Sequence, residues 1–168
     1  AAETLHLPPP VITPLVPTSQ AKPQTWSYTI DQPGEGWFQP QFDDSSWKPA
    51  PGGFGSDGTP GAVIGTPWRS PAIWLRRVFT LEEIPDEVQL LIHHDEDAEV
   101  HINGRRVSVL KGFTREYATV PLKDSDVLRP GRNLLAIHCR HSTGGQFIDA
   151  HVVDAENVPK LPAPKRST

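Results

Sequence analysis

Residues 90–107 have the sequence LLIHHDEDAEVHINGRRV, and this stretch decides the fold. A short apolar run leads into a polar tip, and an alternating run then ends at Asn103-Gly104 before a second one begins. An Asn-Gly pair between two alternating runs indicates a β-hairpin, because a type I′ turn requires positive φ at both central residues. Within 98–102 the alternation predicts that the even-numbered residues face a core and that the odd-numbered residues face away.

Short strands and turns recur along the rest of the chain. No stretch has the apolar period of an amphipathic helix over three turns. Many short strands with frequent turns predict an all-β fold, a β-sandwich of the jelly-roll type. Further strands are predicted at residues 25–29, 73–80, 88–94, 134–141 and 146–153.

The length of 168 residues predicts one domain, which we place at residues 23–155. Residues 1–22 and 156–168 are rich in proline and lack any helical or alternating period. We therefore expect an extended, polyproline-like arm at the start and a proline-rich tail or linker at the end. A glycine- and proline-rich loop at residues 49–71 is long for a compact domain, so it has either a functional or an architectural role.

Composition limits the class of function. A net charge of -4 at pH 7 argues against nucleic-acid binding, which needs a basic surface. No apolar run approaches the roughly 20 residues that span a bilayer. The chain has no initiating methionine and no charged-then-apolar leader, so a signal peptide is either already removed or left out of this sequence. We expect a secreted or extracellular location, with the periplasm or the cell surface as alternatives. Cys139 is the single cysteine, which excludes an intrachain disulfide and predicts a small buried hydrophobe.

Three motifs carry a resemblance to a known family. They are WLRRVF at residues 74–79, HHDEDAEVHINGRRV at residues 93–107 and LRPGRNLLAIH at residues 128–138. Together they resemble the galactose-binding-like β-sandwich of family 2 glycoside hydrolases. The resemblance covers about residues 24–154, and it implies a jelly-roll accessory domain rather than a particular ligand.

A closer resemblance is to accessory domains of large exported bacterial proteins, including glycosidases. It rests on FDDSSW at residues 42–47, the glycine-rich loop at 54–68, HHDEDAEV at 93–100 and GGQFID at 144–149. This resemblance implies a glycan or polysaccharide partner and a neighbouring catalytic domain.

The long loop supplies the first candidate binding residues. Trp68 and Arg69 lie between two prolines, which favours exposure, and an exposed indole can stack on the apolar face of a sugar. Trp37, in a glycine-rich turn, is a weaker candidate of the same kind. The other tryptophans are expected in the core.

The polar tip of the hairpin motif supplies the second set. His94, Asp95 and Asp97 are candidates for hydrogen bonds to sugar hydroxyls. Carboxylate oxygens also suit a structural calcium ion, which is a further alternative. The simpler interpretation is that the aspartates cap backbone donors in a tight turn. His93 and His94 point to opposite faces of a strand, so both do not easily bind one ion.

The third set surrounds the loop at residues 142–145. Arg140, Gln146 and Asp149 flank this loop and are candidates for a shallow polar pocket. Paired strands would place Arg140 beside Asp149 as an ion pair, and this is the simpler explanation. If the loop lies near His94 and Trp68, the three sets form one site.

No catalytic motif is found, so we expect no independent enzymatic activity. Glycoside hydrolysis needs two carboxyl groups about 5–5.5 Å or 6.5–9.5 Å apart in a cleft, and the acidic residues here lie on one strand and its tip. The predicted function is that of a non-catalytic, carbohydrate-binding accessory module. The alternative is a structural or assembly subunit whose proline-rich arms dock on neighbouring sandwiches or on copies of itself, since sheet edges accept added strands.

Overall fold

The structure is a computed structural model, and it describes residues 11–14, 19, 22, 24–122 and 125–156. Most of the predicted arm at residues 1–22 and nearly all of the predicted tail at residues 156–168 lie outside the described residues. Within the described part, no helix is long and apolar enough to cross a membrane.

The all-β sandwich predicted from the sequence is confirmed. The strands of the described residues are β1 (Val11–Pro14), β2 (Thr25–Thr29), β3 (Lys48–Pro51), β4 (Phe54–Gly55), β5 (Thr66–Pro67), β6 (Ala72–Leu81), β7 (Val88–Asp95), β8 (Ala98–Ile102), β9 (Arg105–Leu110), β10 (Ala118–Pro121), β11 (Gly131–Arg140) and β12 (Phe147–Glu156). They form two sheets. One has the strand order β10-β7-β12-β4-β5, with β1 also paired with β12, and the other has the order β3-β2-β6-β11-β8-β9. We call the sheet containing β7 and β12 the first sheet, and the sheet containing β6 and β11 the second.

The Asn-Gly hairpin is present as predicted. Asn103 and Gly104 join β8 to β9 with φ values of 51° and 84°, the double positive φ of a type I′ turn. Asn103 also ties the turn to the neighbouring strand β11 and to the segment that precedes it. Its Nδ2 donates to the Val127 carbonyl oxygen over 2.8 Å, and its Oδ1 accepts the Leu134 N–H over 2.8 Å.

The core lies between the two sheets and follows the strand alternation. The first sheet contributes alternate residues of β7 and β12, and the second contributes alternate residues of β6, β8 and β11. Cys139 is fully buried among them, as predicted, and burial raises the pKa of its thiol. The core residues of these five strands include Leu90, Ile92, Ile148, Ala150, Val152, Ile73, Leu75, Leu135, Ile137, Val100 and Ile102.

The long loop at residues 49–71 is largely architectural. It provides β4 and β5, and its Gly65 N–H donates to the Gly53 carbonyl oxygen over 2.8 Å. It also covers the outer face of the first sheet. A Cβ at Gly61, where φ is 71°, would lie 2.3 Å from the Arg115 carbonyl oxygen and 3.6 Å from the His93 ring. Only glycine allows this close approach.

One segment of the predicted arm belongs to the sandwich. β1 pairs antiparallel with the end of β12, from Val11 opposite Glu156 to Pro14 opposite Val153. β4 pairs with the opposite end of β12, so both short strands extend the first sheet beyond β12.

Candidate functional site

The chain segments that contain the three predicted sets of site residues meet at one end of the sandwich, although several of the residues themselves lie elsewhere. Gln146 Nε2 donates to the Ser70 carbonyl oxygen over 2.6 Å, which joins the loop after β11 to the loop before β6. The Glu96 carboxylate accepts the Ser142 hydroxyl and, over 3.1 Å, the Thr143 N–H. The segments therefore lie together, but as loops hydrogen-bonded to one another.

The acidic turn between β7 and β8 is satisfied within the chain. Asp97 Oδ1 accepts the Gly112 N–H over 2.7 Å, and Oδ2 lies 3.4 Å from Lys111 Nζ. The hydrogen bond from Gly112 holds the pKa of Asp97 below its usual value. His94 Nδ1 lies 2.7 Å from the Glu96 carbonyl oxygen. In the part of the chain that the structure describes, no group of three or more His, Cys, Asp and Glu residues is arranged to hold a metal ion.

The prediction that Trp68 is exposed is wrong. Its side chain is 2% exposed and belongs to the core. The Trp68 N–H donates to the Gly55 carbonyl oxygen over 2.8 Å, and the indole Nε1 donates to Ser70 Oγ over 2.9 Å. Arg69 beside it is exposed. Because both faces of the Trp68 ring are covered, this residue is not part of the site proposed below.

The predicted ion pair between Arg140 and Asp149 is also wrong, because β11 and β12 belong to different sheets. Asp149 is buried, and the Tyr117 hydroxyl donates to its Oδ2 over 2.5 Å. Burial raises the pKa of Asp149 to about 6, and the Tyr117 hydrogen bond opposes the rise. Asp95 is buried on the same face of the first sheet, and burial raises its pKa as well.

Arg140 instead borders a groove on the outer face of the second sheet. This aromatic groove has a volume of about 560 Å³ and is lined by residues 32–36 together with Trp37, Phe38, Trp74, His138 and Arg140. Ligand pockets for small molecules are typically about 300–1,000 Å³, so the groove is large enough for a sugar.

The groove has a flat aromatic floor. Trp74 of β6 and His138 of β11 are opposite each other in register, and their rings stack with centroids 4.5 Å apart and planes at 9°. Trp37 stands edge-on to His138 at 6.2 Å. Burial lowers the pKa of His138 to about 4, and the nearby Arg140 cation lowers it further. At neutral pH the floor is therefore uncharged, and the Arg140 guanidinium and the Glu35 carboxylate lie at its border.

A single buried arginine holds the wall of the groove in place. Arg76 Nη1 donates to the carbonyl oxygens of Trp37 over 2.5 Å and Gln39 over 3.0 Å. Its Nη2 donates to the Phe42 carbonyl oxygen over 3.4 Å, and its Nε pairs with Asp44 Oδ2 at 2.9 Å. These bonds anchor the loop at residues 31–47 above the outer face of the second sheet.

A smaller recess of about 220 Å³ continues from the groove past His138 and Arg140. The carboxylates that line it are already engaged by partners. Asp97 accepts the Gly112 N–H, and Glu99 Oε1 lies 3.3 Å from His101 Nε2 and 3.9 Å from Arg106 Nη1. The pKa of Asp97 is lowered, which is the opposite of what a general acid requires.

Most of this groove was not predicted from the sequence. Trp74 was expected in the core, and its side chain is indeed buried, at 8% exposed. Alternation along β6 nevertheless places it on the opposite face from Leu75, outside the core between the two sheets. Arg140 was expected beside Asp149 of β12, whereas it lies with His138 on the face of β11 that borders this groove. The alternation of each strand could have shown that Trp74 and His138 both face away from the core. Their meeting then follows from the pairing of β6 with β11.

Solved structures share this β-sandwich, which confirms the resemblance of the chain to a sandwich domain of family 2 glycoside hydrolases. A family 2 glycoside hydrolase from Bacteroides cellulosilyticus has a TM-score of 0.57 at 18% identity and covers 80% of this chain. A family 2 β-glucuronidase has a TM-score of 0.56 at 14% identity over 90% of this chain, and a β-glucuronidase from Bifidobacterium dentium has 0.54 at 15% over 80%. At these identities the likeness shows the fold.

One curated protein also matches in sequence. A segment of an α-L-rhamnosidase from Streptomyces avermitilis is 32% identical over 121 residues, which is 68% of this chain. The chain spans 12% of the length of that protein, and 20%, 18% and 21% of the lengths of the three solved structures. No family model matches.

Proposed function

We propose that this chain is a non-catalytic carbohydrate-binding module and that the aromatic groove holds the glycan. The observation that carries this proposal is the stacked pair of Trp74 and His138 beneath Trp37, with Arg140 at the border. Trp74 and His138 stack on each other and Trp74 is 8% exposed, so the half-buried Trp37 is the ring that can pack against the apolar face of a pyranose. The Arg140 guanidinium can donate hydrogen bonds to the hydroxyl oxygens of the sugar.

The proposal assigns no catalysis to the chain. Hydrolysis of a glycosidic bond uses one carboxyl group with a raised pKa as the acid and a second as nucleophile or base. The carboxyl groups with raised pKa among the described residues, Asp95 and Asp149, are buried on the outer face of the first sheet. The aromatic groove lies on the other sheet, which supports binding without chemistry.

The comparisons support an accessory role beside a catalytic domain. The fold is shared with segments of family 2 glycoside hydrolases, and the matched sequence is a segment of an α-L-rhamnosidase. We propose that this chain serves as an accessory domain in a longer, exported bacterial protein that acts on glycans.

The experiment is a glycan-array assay on the intact chain and on two tryptophan variants. Trp37→Ala removes one wall of the groove, and Trp47→Ala removes a similarly half-buried indole that packs on Phe42 outside the groove. We expect the intact chain to bind one sugar class and Trp37→Ala to weaken binding by about tenfold or more, as truncation of a central contact does.

Trp47→Ala should bind like the intact chain, and circular dichroism checks that both variants are folded. Equal binding by Trp37→Ala and the intact chain contradicts the placement of the glycan. Absence of binding by the intact chain to every glycan on the array contradicts the proposed function itself.

A second candidate function is a structural subunit, favoured by the pairing of β1 with β12. This pairing shows that the first sheet accepts the proline-rich segment as an added strand. If β1 of one copy paired with β12 of another copy, the result would be a domain-swapped assembly. An oligomer in solution, together with a silent array, is the result that favours this candidate.

A further inference from the structure

A second recess lies on the other side of the loop that Arg76 anchors. This arginine cavity has a volume of about 390 Å³, and the loop side of it is formed by Pro40, Phe42 and Asp44. Along β6, the aromatic groove lies at Trp74 and the arginine cavity lies at Val78. Arg76 stands between these two residues and so divides the outer face of the second sheet into two recesses. The cavity is further lined by Thr25, Trp26, Ser27, Arg76, Arg77, Val78, Asn103, Arg129, Arg132, Asn133 and Leu134.

Positive charge predominates around this cavity. Four arginines and one carboxylate, Asp44, are among its lining residues. Arg76 is paired with Asp44, whereas Arg129 and Arg132 are exposed and have no ion-pair partner among the described residues. This excess stands out in a chain whose net charge is -4.

The turn that carries the two unpaired arginines is held rigidly. Asn133 Oδ1 accepts the Arg129 N–H over 2.9 Å, and Asn133 Nδ2 donates to the carbonyl oxygens of Arg129 over 2.8 Å and Gly131 over 3.1 Å. Gly131 has a φ of 91°, which favours glycine at this point of the turn. Both guanidinium groups therefore start from a fixed backbone, which lowers the entropy lost when they bind a ligand.

We propose that the arginine cavity binds an oxyanion, a carboxylate or phosphate group carried by a small polar molecule. Guanidinium groups bind both kinds of oxyanion through paired, charge-assisted hydrogen bonds. This site is separate from the aromatic groove, and it does not depend on the function proposed for the groove.

Isothermal titration calorimetry on the intact chain at low ionic strength tests the site with three ligands. Glucuronate carries a carboxylate, glucose 6-phosphate carries a phosphate, and glucose carries neither. We expect at least one anion to bind about tenfold or more tighter than glucose, and added salt to weaken it because the arginines are exposed. The preferred anion identifies the source of the oxyanion.

A charge-matched pair of variants locates the binding. Arg129→Gln with Arg132→Gln removes the unpaired charges of the cavity, and Lys48→Gln with Arg115→Gln removes two exposed charges that do not line it. The first double variant should lose anion binding by about tenfold or more, while the second retains it.

Equal loss in both double variants would falsify the site, because it would show only an effect of net charge. Failure of the intact chain to bind either anion also overturns it. Trp37→Ala should bind the anions normally, so a failure of the groove and a failure of this cavity are distinguishable.

Discussion

The two outer faces of the sandwich carry the same kinds of side chain in different environments. On the second sheet His138 stacks on Trp74 at the floor of an open groove. On the first sheet His93 lies 4.6 Å from the Phe147 ring and is 0% exposed. A histidine beside an aromatic ring is thus a candidate binding surface on one face and a buried structural pair on the other.

The difference comes from the segments that cover each face. The loop at residues 31–47 is held on Arg76 and leaves a recess on either side of it. The loop at residues 49–71 approaches the first sheet closely through Gly61. Under this cover both ring nitrogens of His93 and of His151 lack a hydrogen-bond partner among the described residues. Such burial costs free energy, so the first face contributes packing while the second offers access.

Arg76→Met should have the largest effect, because it removes the anchor between the two recesses. Its side chain is 4% exposed and bonds to Asp44 and to three backbone carbonyls. We expect a loss of about 2–4 kcal/mol in the free energy of unfolding, because the variant leaves three backbone carbonyl oxygens without their charged donor. The Asp44 carboxylate that it also leaves unpaired is 36% exposed and remains partly hydrated. Urea denaturation measures this change.

Arg140→Met is the matched control for that variant. It makes the same chemical change on the same face at an exposed position, so we expect a change within about 0.5 kcal/mol. Similar losses for both variants would show that the loop at 31–47 does not depend on Arg76.

Tyr117→Phe tests the covered outer face of the first sheet and should have an intermediate effect on stability. The variant leaves the buried Asp149 carboxyl without the hydroxyl that donates to it over 2.5 Å. We expect a loss of about 1–3 kcal/mol in unfolding free energy, the cost of an unsatisfied buried polar group. Tyr28→Phe removes the same atom from a half-buried ring whose hydroxyl has no hydrogen-bond partner among the described residues, and it should change stability little.

Acidification should destabilise both faces through their histidines. Burial lowers the pKa values of His101, His138 and His151 to about 4, whereas the unfolded chain takes up these protons near 6.5. Their stabilisation is therefore complete above pH 6.5 and is lost as the pH falls through 4. Asp149 acts in the opposite sense, because its contribution is present below pH 3.8 and is lost as the pH rises through about 6. Three histidines outweigh one aspartate, so stability should fall with acid.

The contribution of one histidine is the smallest effect that we predict. Replacing His151 with glutamine should reduce the loss of stability between pH 6.5 and 5.5 by about 1 kcal/mol, because one proton fewer is taken up on unfolding. Urea denaturation at the two pH values measures the difference. An unchanged acid sensitivity in His151→Gln would mean that the pKa of this imidazole is the same in the folded and the unfolded protein.

Local chemistry was sufficient to predict the hairpin, the buried Cys139 and the polar turn. Asn103-Gly104 needs only its own backbone preference, and period-2 alternation alone separates the two faces of each strand. The prediction for Trp68 was wrong because it relied on the flanking prolines, which affect only the local backbone. The pairing of β4 with β5 brings distant parts of the chain together and places the indole in the core.

The amino-acid sequence by itself determined that this chain forms a β-sandwich with alternating inward and outward residues, because turn chemistry and alternation are local properties. Tertiary structure alone decided which outward residues became a groove. Trp74 and His138 are 64 positions apart and meet only because β6 pairs with β11, and Arg140 is separated from Asp149 because their strands join different sheets. Strand order and loop cover, which depend on the whole chain, turn the same residue types into an open surface or a sealed one.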